Sequence, residues 1–366
     1  MSGSEVTTVV VVAVERQIRC GPACERGCVC LHRNHPPTVI EALRPRHPLR
    51  RTAYGSRTVA DYDQVVVAVT VVNACLRDGR GGSPTAVLDE MPLSDAERRA
   101  VPARVGASHA VFVAARDDRS VSLRFFTVEG ELPACGHGTV AALAFLAERA
   151  SAVDHEVGRA GAADHEVGRA GASDYEVELH TRQRVLPGRA VRAAAHVDAD
   201  FDPGPIVLRE PTGMEENLVL SALRTAPGDY AGGARVASLG RARLLVPLAT
   251  RAAVADLDPD LDRLRAAADR LGLLGCYAYS VPAADGRLAA RMFAPSIGVP
   301  EDIANANSTA CLAACLAGAG SADIAVDMGD SVGSPAAIVA TARPGPSGTR
   351  VRVGGAATVA GVRHLA

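Results

Sequence analysis

From Gln64 onward the chain alternates short apolar runs with polar turns. Val65 to Val72 is an almost unbroken β-branched run of the kind a buried strand carries, and Gly79 to Pro84 supplies turn chemistry before a second apolar stretch at Ala86 to Leu88. Ser94 and Glu97 have capping-box spacing, in which the hydroxyl accepts the third amide of a helix while the carboxylate reaches back. A helix is therefore expected from Ser94 to about Val105, with Pro102 counting against its last turn. Val111 to Val113 and Ser120 to Phe126 read as strands.

Two helices look enclosed on every side. Val140 to Ala147 is apolar all round and follows the polar, small-residue turn Cys135-Gly136-His137-Gly138-Thr139. Thr309 to Leu316 has the same character and follows Glu301-Asp302-Ile303-Ala304-Asn305-Ala306-Asn307-Ser308. Between the two lies a repeat: Asp154 to Ala162 recurs as Asp164 to Ala172, and Asp174-Tyr175-Glu176-Val177 begins a divergent third copy. Two copies are too few for a solenoid, so residues 154–173 read as a duplicated loop insertion with solvated histidines. The third copy alternates as a strand, Tyr175, Val177 and Leu179 against Glu176, Glu178 and His180. Strands are also expected at Val207 to Leu208, Leu244 to Pro247, Cys276 to Val281, Arg287 to Phe293 and Val351 to Val353, with an amphipathic helix around Asp260 to Leu271. Strands and helices mix irregularly, so the fold class is α+β.

Composition narrows the chemistry. The chain has 366 residues, 39 basic and 41 acidic side chains, and all the basic ones are Arg. Without Lys there is no Schiff base, no pyridoxal phosphate anchor and no Walker A lysine. A net charge of −2 and 3% aromatic content supply neither the field nor the stacking surface that nucleic acid needs, so no nucleic-acid partner is expected. No apolar run is long enough to span a membrane, and Met1 to Thr8 lacks the cationic start of a secretory signal, so the expected location is cytoplasmic. Cys75, Cys135, Cys276, Cys311 and Cys315, scattered through apolar segments, suit reduced thiols. Cys20, Cys24, Cys28 and Cys30 with His32 and His35 are donors zinc uses, but their spacing lacks two knuckles across a loop. Residues 1–60 therefore read as a disordered extension or an over-long start, with a metal site as the alternative.

A helix N-terminus offers unpaired amides and about half a positive charge. Two such turns, one per half, can face each other across a cleft and hold a carboxylate.

The order and spacing of several motifs carry a resemblance. Val69-Thr70-Val71-Val72-Asn73-Ala74, Gly82-Ser83-Pro84-Thr85-Ala86-Val87, Ala107-Ser108-His109-Ala110, Arg124-Phe125-Phe126-Thr127 and Cys135-Gly136-His137-Gly138-Thr139 resemble the phenazine-biosynthesis PhzF-like family. Arg291-Met292-Phe293-Ala294-Pro295, Gly298-Val299-Pro300-Glu301-Asp302, Met328-Gly329 and Val351-Arg352-Val353-Gly354-Gly355-Ala356 resemble its second-domain motifs, so the likeness covers roughly residues 64–362. It implies a diaminopimelate-epimerase-like fold of two similar domains, each a mixed sheet or barrel wrapped around a central buried helix. The expected domains are residues 61–187, completed by a C-terminal strand at 357–366, and residues 188–356. It further implies a cofactor-free, metal-free homodimeric isomerase that moves a proton on a small carboxylate between the domains. PhzF-like isomerases serve antibiotic pathways to 4-alkylproline units, which makes a cyclic imino acid diene the leading substrate.

The sequence departs from the family at the site. Where the family carries an acidic base in Ser-Glu-Thr, this chain has Ser108-His109-Ala110; an imidazole can take and return a proton near neutrality, so His109 is the expected shuttle. Asp302 and His137 match the family's Asp and Cys-Gly-His positions and are the expected assistants, with helix capping as the alternative for Asp302. Cys135, Gly136, Gly138, Asn305, Asn307 and Ser308 are expected to contact substrate. The Pro-Ala-Thr-Gly-Ser turn of the family has become Ile303 to Asn307, which loses a Gly and exchanges a hydroxyl for an amide. Two rival readings stay open: an amino-acid epimerase or racemase working through Cys135, and a member that binds a carboxylate without converting it.

Overall fold

The structure is a computed structural model that describes residues 66–365 apart from 118, 162–173, 227 and 347. The readings made of residues 1–60 and of the second repeat copy lie outside the described residues. The first half holds β1 (Val67–Leu76), β2 (Ser83–Asp89), α1 (Asp95–Val105), β3 (His109–Asp117), β4 (Ser120–Phe126), β5 (Glu131–Leu132), α2 (Gly136–Gly161), β6 (Tyr175–His180), β7 (Val185–Arg192) and β8 (Val197–Phe201). The second holds β9 (Val207–Arg209), α3 (Gly213–Leu223), β10 (Arg235–Leu239), β11 (Arg241–Leu248), α4 (Arg251–Ala255), α5 (Leu261–Leu271), β12 (Leu273–Ser280), β13 (Arg287–Ala294), β14 (Val299–Asp302), α6 (Ala306–Ala317), β15 (Ala322–Met328), β16 (Ala336–Gly345) and β17 (Gly348–Leu365).

The two halves repeat one plan. β2 and β3 pair in parallel across α1, as β11 and β12 do across α4 and α5. An antiparallel partner follows in each half, β4 or β13, and then a short strand, β5 or β14, leads into the central helix. After α2 the chain returns as β6 parallel to β4, and after α6 it returns as β15 parallel to β13. The fold is thus α+β, two similar mixed sheets each wrapped around a buried helix. α2 packs on β1, β2, β3, β7, β8 and β17, and α6 packs on β10, β15, β16 and β17. Ala and other small side chains make up most of α6, and their small volume lets the surrounding strands close around it. Outside the barrels, α1 covers Phe112 and Phe126, while α3 and α5 cover the face of β10 to β13 turned away from α6.

The capping box of Ser94 and Glu97 forms as its spacing requires, and Asp260 caps α5. Over residues 154–161 the expected loop does not form: this part of the first repeat copy continues α2 to Gly161. Its segment Asp-His-Glu-Val holds no breaker before Gly158, so a helix already running through Ala147 has no reason to stop. β17 runs through both the expected strand Val351 to Val353 and the expected C-terminal strand at 357–366 as one continuous element. It pairs with β16 and β8 through its first part and with β1 from Ala356 to Leu365, so one strand ties both halves together. Gly354 lets it cross β8 closely, since a Cβ there would lie 2.0 Å from the Ala199 carbonyl oxygen.

The repeat extends to an ion pair before each central helix. Arg124 on β4 makes two hydrogen bonds of 3.0 Å to Glu131, and Arg291 on β13 makes bonds of 2.9 and 2.8 Å to Glu301. Each guanidinium lies over the Phe two residues on, Phe126 at 5.0 Å and Phe293 at 4.9 Å. The Arg291–Glu301 pair is 12% and 11% exposed, and Arg291 also donates to the carbonyls of Val254, Ala255 and Leu257 at the end of α4. Arg291→Met leaves Glu301 charged and nearly buried, and is expected to cost about 3–5 kcal/mol of stability in denaturant unfolding. A loss below about 1 kcal/mol would mean that water reaches Glu301 freely.

Candidate active site

The N-termini of α2 and α6 meet where the two halves join. Gly136, the first residue of α2, packs so closely on the start of α6 that a Cβ on it would sit 2.8 Å from the Ala306 Cβ and 2.9 Å from the Asn307 amide nitrogen. The methyl group of Ala306 therefore occupies the space that Gly136 leaves. Among the described residues, the amides of Gly136, His137 and Asn307 meet no protein acceptor, whereas the Ser308 amide is capped by the Asn305 side chain at 2.9 Å. Gly136, His137 and Asn307 line a cleft of about 750 Å³ including its open mouth, together with His109, Cys135, Asp302, Asn305, Arg241 and Arg243. Leu132, Leu239, Leu274, Ile297 and Val299 supply an apolar wall. An apolar wall with a few convergent polar groups suits a small organic ligand.

His109 opens β3, held in register beside Thr85 of β2. Its Nδ1 lies 3.0 Å from His137 Nε2 and 2.9 Å from Ser108 Oγ, which is itself 3.3 Å from Ser83 Oγ. His137 Nδ1 is 2.7 Å from the carbonyl oxygen of Ala304, to which it must donate, since a carbonyl only accepts. Cys135 Sγ is 3.4 Å from His137 Nε2. Asp302, at the end of β14, accepts from Asn305 Nδ2 at 2.9 Å and from the Ala304 amide, with an oxygen 3.9 Å from His137 Nδ1.

These contacts set the charges. Burial alone would strip the proton from His137, but Cys135, Asp302 and the Ala304 carbonyl outweigh it and raise its pKa to about 10. Burial, and then the neighbouring charge of His137, push His109 well below the ordinary imidazole value. Burial lifts Asp302 above the ordinary carboxylate range, while His137, Asn305 and the Ala304 amide pull it back. At neutral pH the pair thus holds one extra proton, on His137, and His109 is neutral. With Nδ1 facing His137, Nε2 of His109 is the ring nitrogen left for a ligand in the cleft.

His109, His137, Asp302, Cys135, Gly136, Asn305 and Asn307 come together as expected. Gly138 and Ser308 do not line the cleft. Gly138 is packed beneath Cys135, Phe125 and Val111, and the Ser308 hydroxyl turns inward to Met292 Sδ. Asn305 faces the cleft, but both ends of its amide are engaged, in the cap of α6 and on Asp302. The second thiol of a two-cysteine mechanism is missing from the α6 turn, since Cys311 is buried farther along that helix against Arg243. Arg243 was not expected at all; its one sequence signal is a cation entering the otherwise apolar strand Leu244 to Leu248.

Two sheets of the same topology, each around a helix and joined at the helix N-termini, define a diaminopimelate-epimerase-like protein. Within that class the chain belongs to the PhzC-PhzF family of phenazine biosynthesis-like proteins, whose family model matches residues 75–361. An uncharacterized isomerase of Deinococcus radiodurans is 30% identical over 295 residues, 77% of this chain and 88% of the relative. The uncharacterized isomerase YddE of Escherichia coli K12 is 27% identical over 245 residues, 65% of this chain and 74% of the relative. Among solved structures, a PhzF-family phenazine biosynthesis protein of Bacillus anthracis superimposes with a TM-score of 0.66 at 16% identity, covering 83% of this chain and 100% of its own. A predicted epimerase of Pseudomonas aeruginosa gives 0.63 at 24%, covering 82% and 99%. No helix among the described residues is long and apolar enough to cross a membrane.

Proposed function

We propose that the protein is an isomerase that moves a proton between carbons of a small, cyclic carboxylic acid, with His109 as the group that takes and returns it. The observation that carries this reading is the 3.0 Å contact between His109 and His137 beside two helix N-termini. The curated relatives named isomerases support the class of reaction. The substrate carboxylate would lie against the free amides of Gly136, His137 and Asn307, where enolate charge formed on deprotonation is stabilised.

The proton inventory allows both directions of transfer. With the extra proton on His137, His109 carries hydrogen on Nε2 and acts as the acid. When His137 is neutral, His109 can carry hydrogen on Nδ1, and its Nε2 lone pair acts as the base. The C–H bond breaks toward Nε2, the electron pair moves into the conjugated carboxylate, and the histidine pair, whose protons exchange with solvent, delivers a proton from Nε2 to a different carbon, shifting the double bond. Asp302 stabilises the His137 cation and thereby keeps the acid form populated. A role in the biosynthesis of specialised metabolites, including 4-alkylproline units, belongs to this proposal.

The test incubates the protein in D2O with cyclic imino acid dienes and with dihydro-hydroxyanthranilate, following ultraviolet absorbance and deuterium uptake by mass spectrometry. Deuterium in a product with a moved double bond supports the reading; binding without uptake from any of these acids would sink it in favour of a carboxylate-binding role. One observation favours a second assignment: the ligand-capable atoms of His109, Cys135 and His137 lie within 4.8 Å of one another. A metal there would take His137 through Nε2, since its Nδ1 donates to the Ala304 carbonyl, and that Nε2 already shares a hydrogen bond with His109. Uptake is therefore expected to persist in a chelator, and loss restored by zinc would give the three donors to a metal.

A further inference from the structure

Arg243, on β11, lines the cleft and is 2% exposed. Nη1 donates to Cys311 Sγ at 2.9 Å and reaches the Asn307 carbonyl at 3.5 Å, Nη2 donates to the Arg241 carbonyl at 3.0 Å, and buried Nε has no partner. Every partner is neutral or shared, because burial raises the Cys311 thiol above its ordinary value and keeps it protonated at neutral pH. Among the described residues no carboxylate pairs with this guanidinium, although other buried arginines have one, as Arg98 has Glu90 and Arg291 has Glu301. Asp302 shares the cleft, but its oxygens serve Asn305, the Ala304 amide and His137. Arg241, two residues earlier and so on the same side of the strand, also lines the cleft, and its guanidinium donates to the Leu273 carbonyl at 3.1 Å. A buried cation without a counter-charge is costly, and a ligand that supplies the charge removes that cost on binding.

We propose that Arg243, assisted by Arg241, forms an oxyanion subsite in the cleft, separate from the helix amides, so that the substrate carries two acid groups. The subsite rests on the reading of this cleft as the reaction site, yet binding tests it without turnover. Calorimetric titration of the full chain with butyrate and with succinate compares one and two carboxylates on the same four-carbon frame, and 3-phosphonopropionate presents the second oxyanion as a phosphonate. Succinate or the phosphonate is expected to bind roughly 10- to 100-fold tighter than butyrate, the range of a charge-assisted pair, and the tighter of the two names the group. Arg243→Gln should abolish that preference while butyrate binding persists. Should the buried change impair folding, Arg241→Gln at the exposed neighbour is expected to reduce the preference severalfold.

Equal binding of butyrate and both dianions to the native protein overturns the proposal. So does a preference that survives both substitutions, or loss of all three ligands together in Arg241→Gln. The two readings fail separately. A dianion preference with no deuterium uptake leaves the subsite standing and removes the isomerase, whereas uptake with no such preference does the reverse.

Discussion

His109→Gln is expected to slow deuterium uptake by roughly 10²- to 10⁴-fold, the range of a lost general acid–base group, while ligand affinity stays near that of the native protein. Gln keeps hydrogen-bonding capacity toward His137 and Ser108 but cannot exchange a proton at neutral pH. Affinity should hold because the carboxylate rests on helix amides that the substitution does not touch. The pH profile separates this role from mere support. His109 takes a proton beyond its neutral form only well below the ordinary imidazole value. His137 gives up its proton near pH 10. Removal of the substrate proton needs a neutral His137 and the free Nε2 lone pair of His109, so the native rate should rise as pH climbs toward 10. Stability runs the other way: a histidine whose folded pKa is raised contributes fully below its unfolded pKa and loses that contribution as pH rises through about 10. Native rates in His109→Gln would remove the shuttle from the mechanism, and a residual rate with an unchanged alkaline limb would leave His137 to move the proton without it.

Local patterns were legible in the sequence, and contacts across the fold were not. Ser120 to Phe126 forms the strand that its alternation indicates, because one face meets the α2 core and the other meets α1. Ser94 and Asp260 act as caps because capping is settled within four residues. β17 was read as two separate pieces because Gly354, Gly355 and Ala356 between them have weak strand propensity, and its continuity comes from three neighbours that no local window contains. The repeat misled for the opposite reason. Duplication suggested an insertion, yet the copied residues are compatible with a helix already under way. At the site, His109 and His137 were separate candidates whose 3.0 Å contact follows from β3 and α2 meeting across 28 positions. Arg243 went unnoticed because a lone arginine in a strand is usually solvated, and only the closed barrel shows it buried without an acid.

Gly136→Ala, a change of one methyl group, is expected to lower the uptake rate by about 10²-fold, the penalty for displacing catalytic groups by about 1 Å. The added carbon meets the Ala306 Cβ at 2.8 Å, the Asn307 nitrogen at 2.9 Å and the Ala306 Cα at 3.2 Å. Backbone atoms and a methyl group cannot rotate away, so the two helix starts must move apart. That movement separates the amides proposed to hold the carboxylate and draws His137 away from the Ala304 carbonyl, which lies on the opposite half. Gly138→Ala is the matched control. Its Cβ would meet Cys135 Sγ at 3.0 Å and the side chains of Phe125 and Val111 at 3.1 Å, all atoms of the first half alone. Both variants should lose about 1–3 kcal/mol to overpacking. Only Gly136→Ala should also lose most of its rate in the fully folded protein, measured well below the melting temperature. Equal rates in the two variants would show that the spacing between the helix N-termini does not govern the chemistry. A selective loss in Gly136→Ala would tie the reaction to the junction between the halves, where neither half alone holds the histidine pair, Asp302 and the facing amides together.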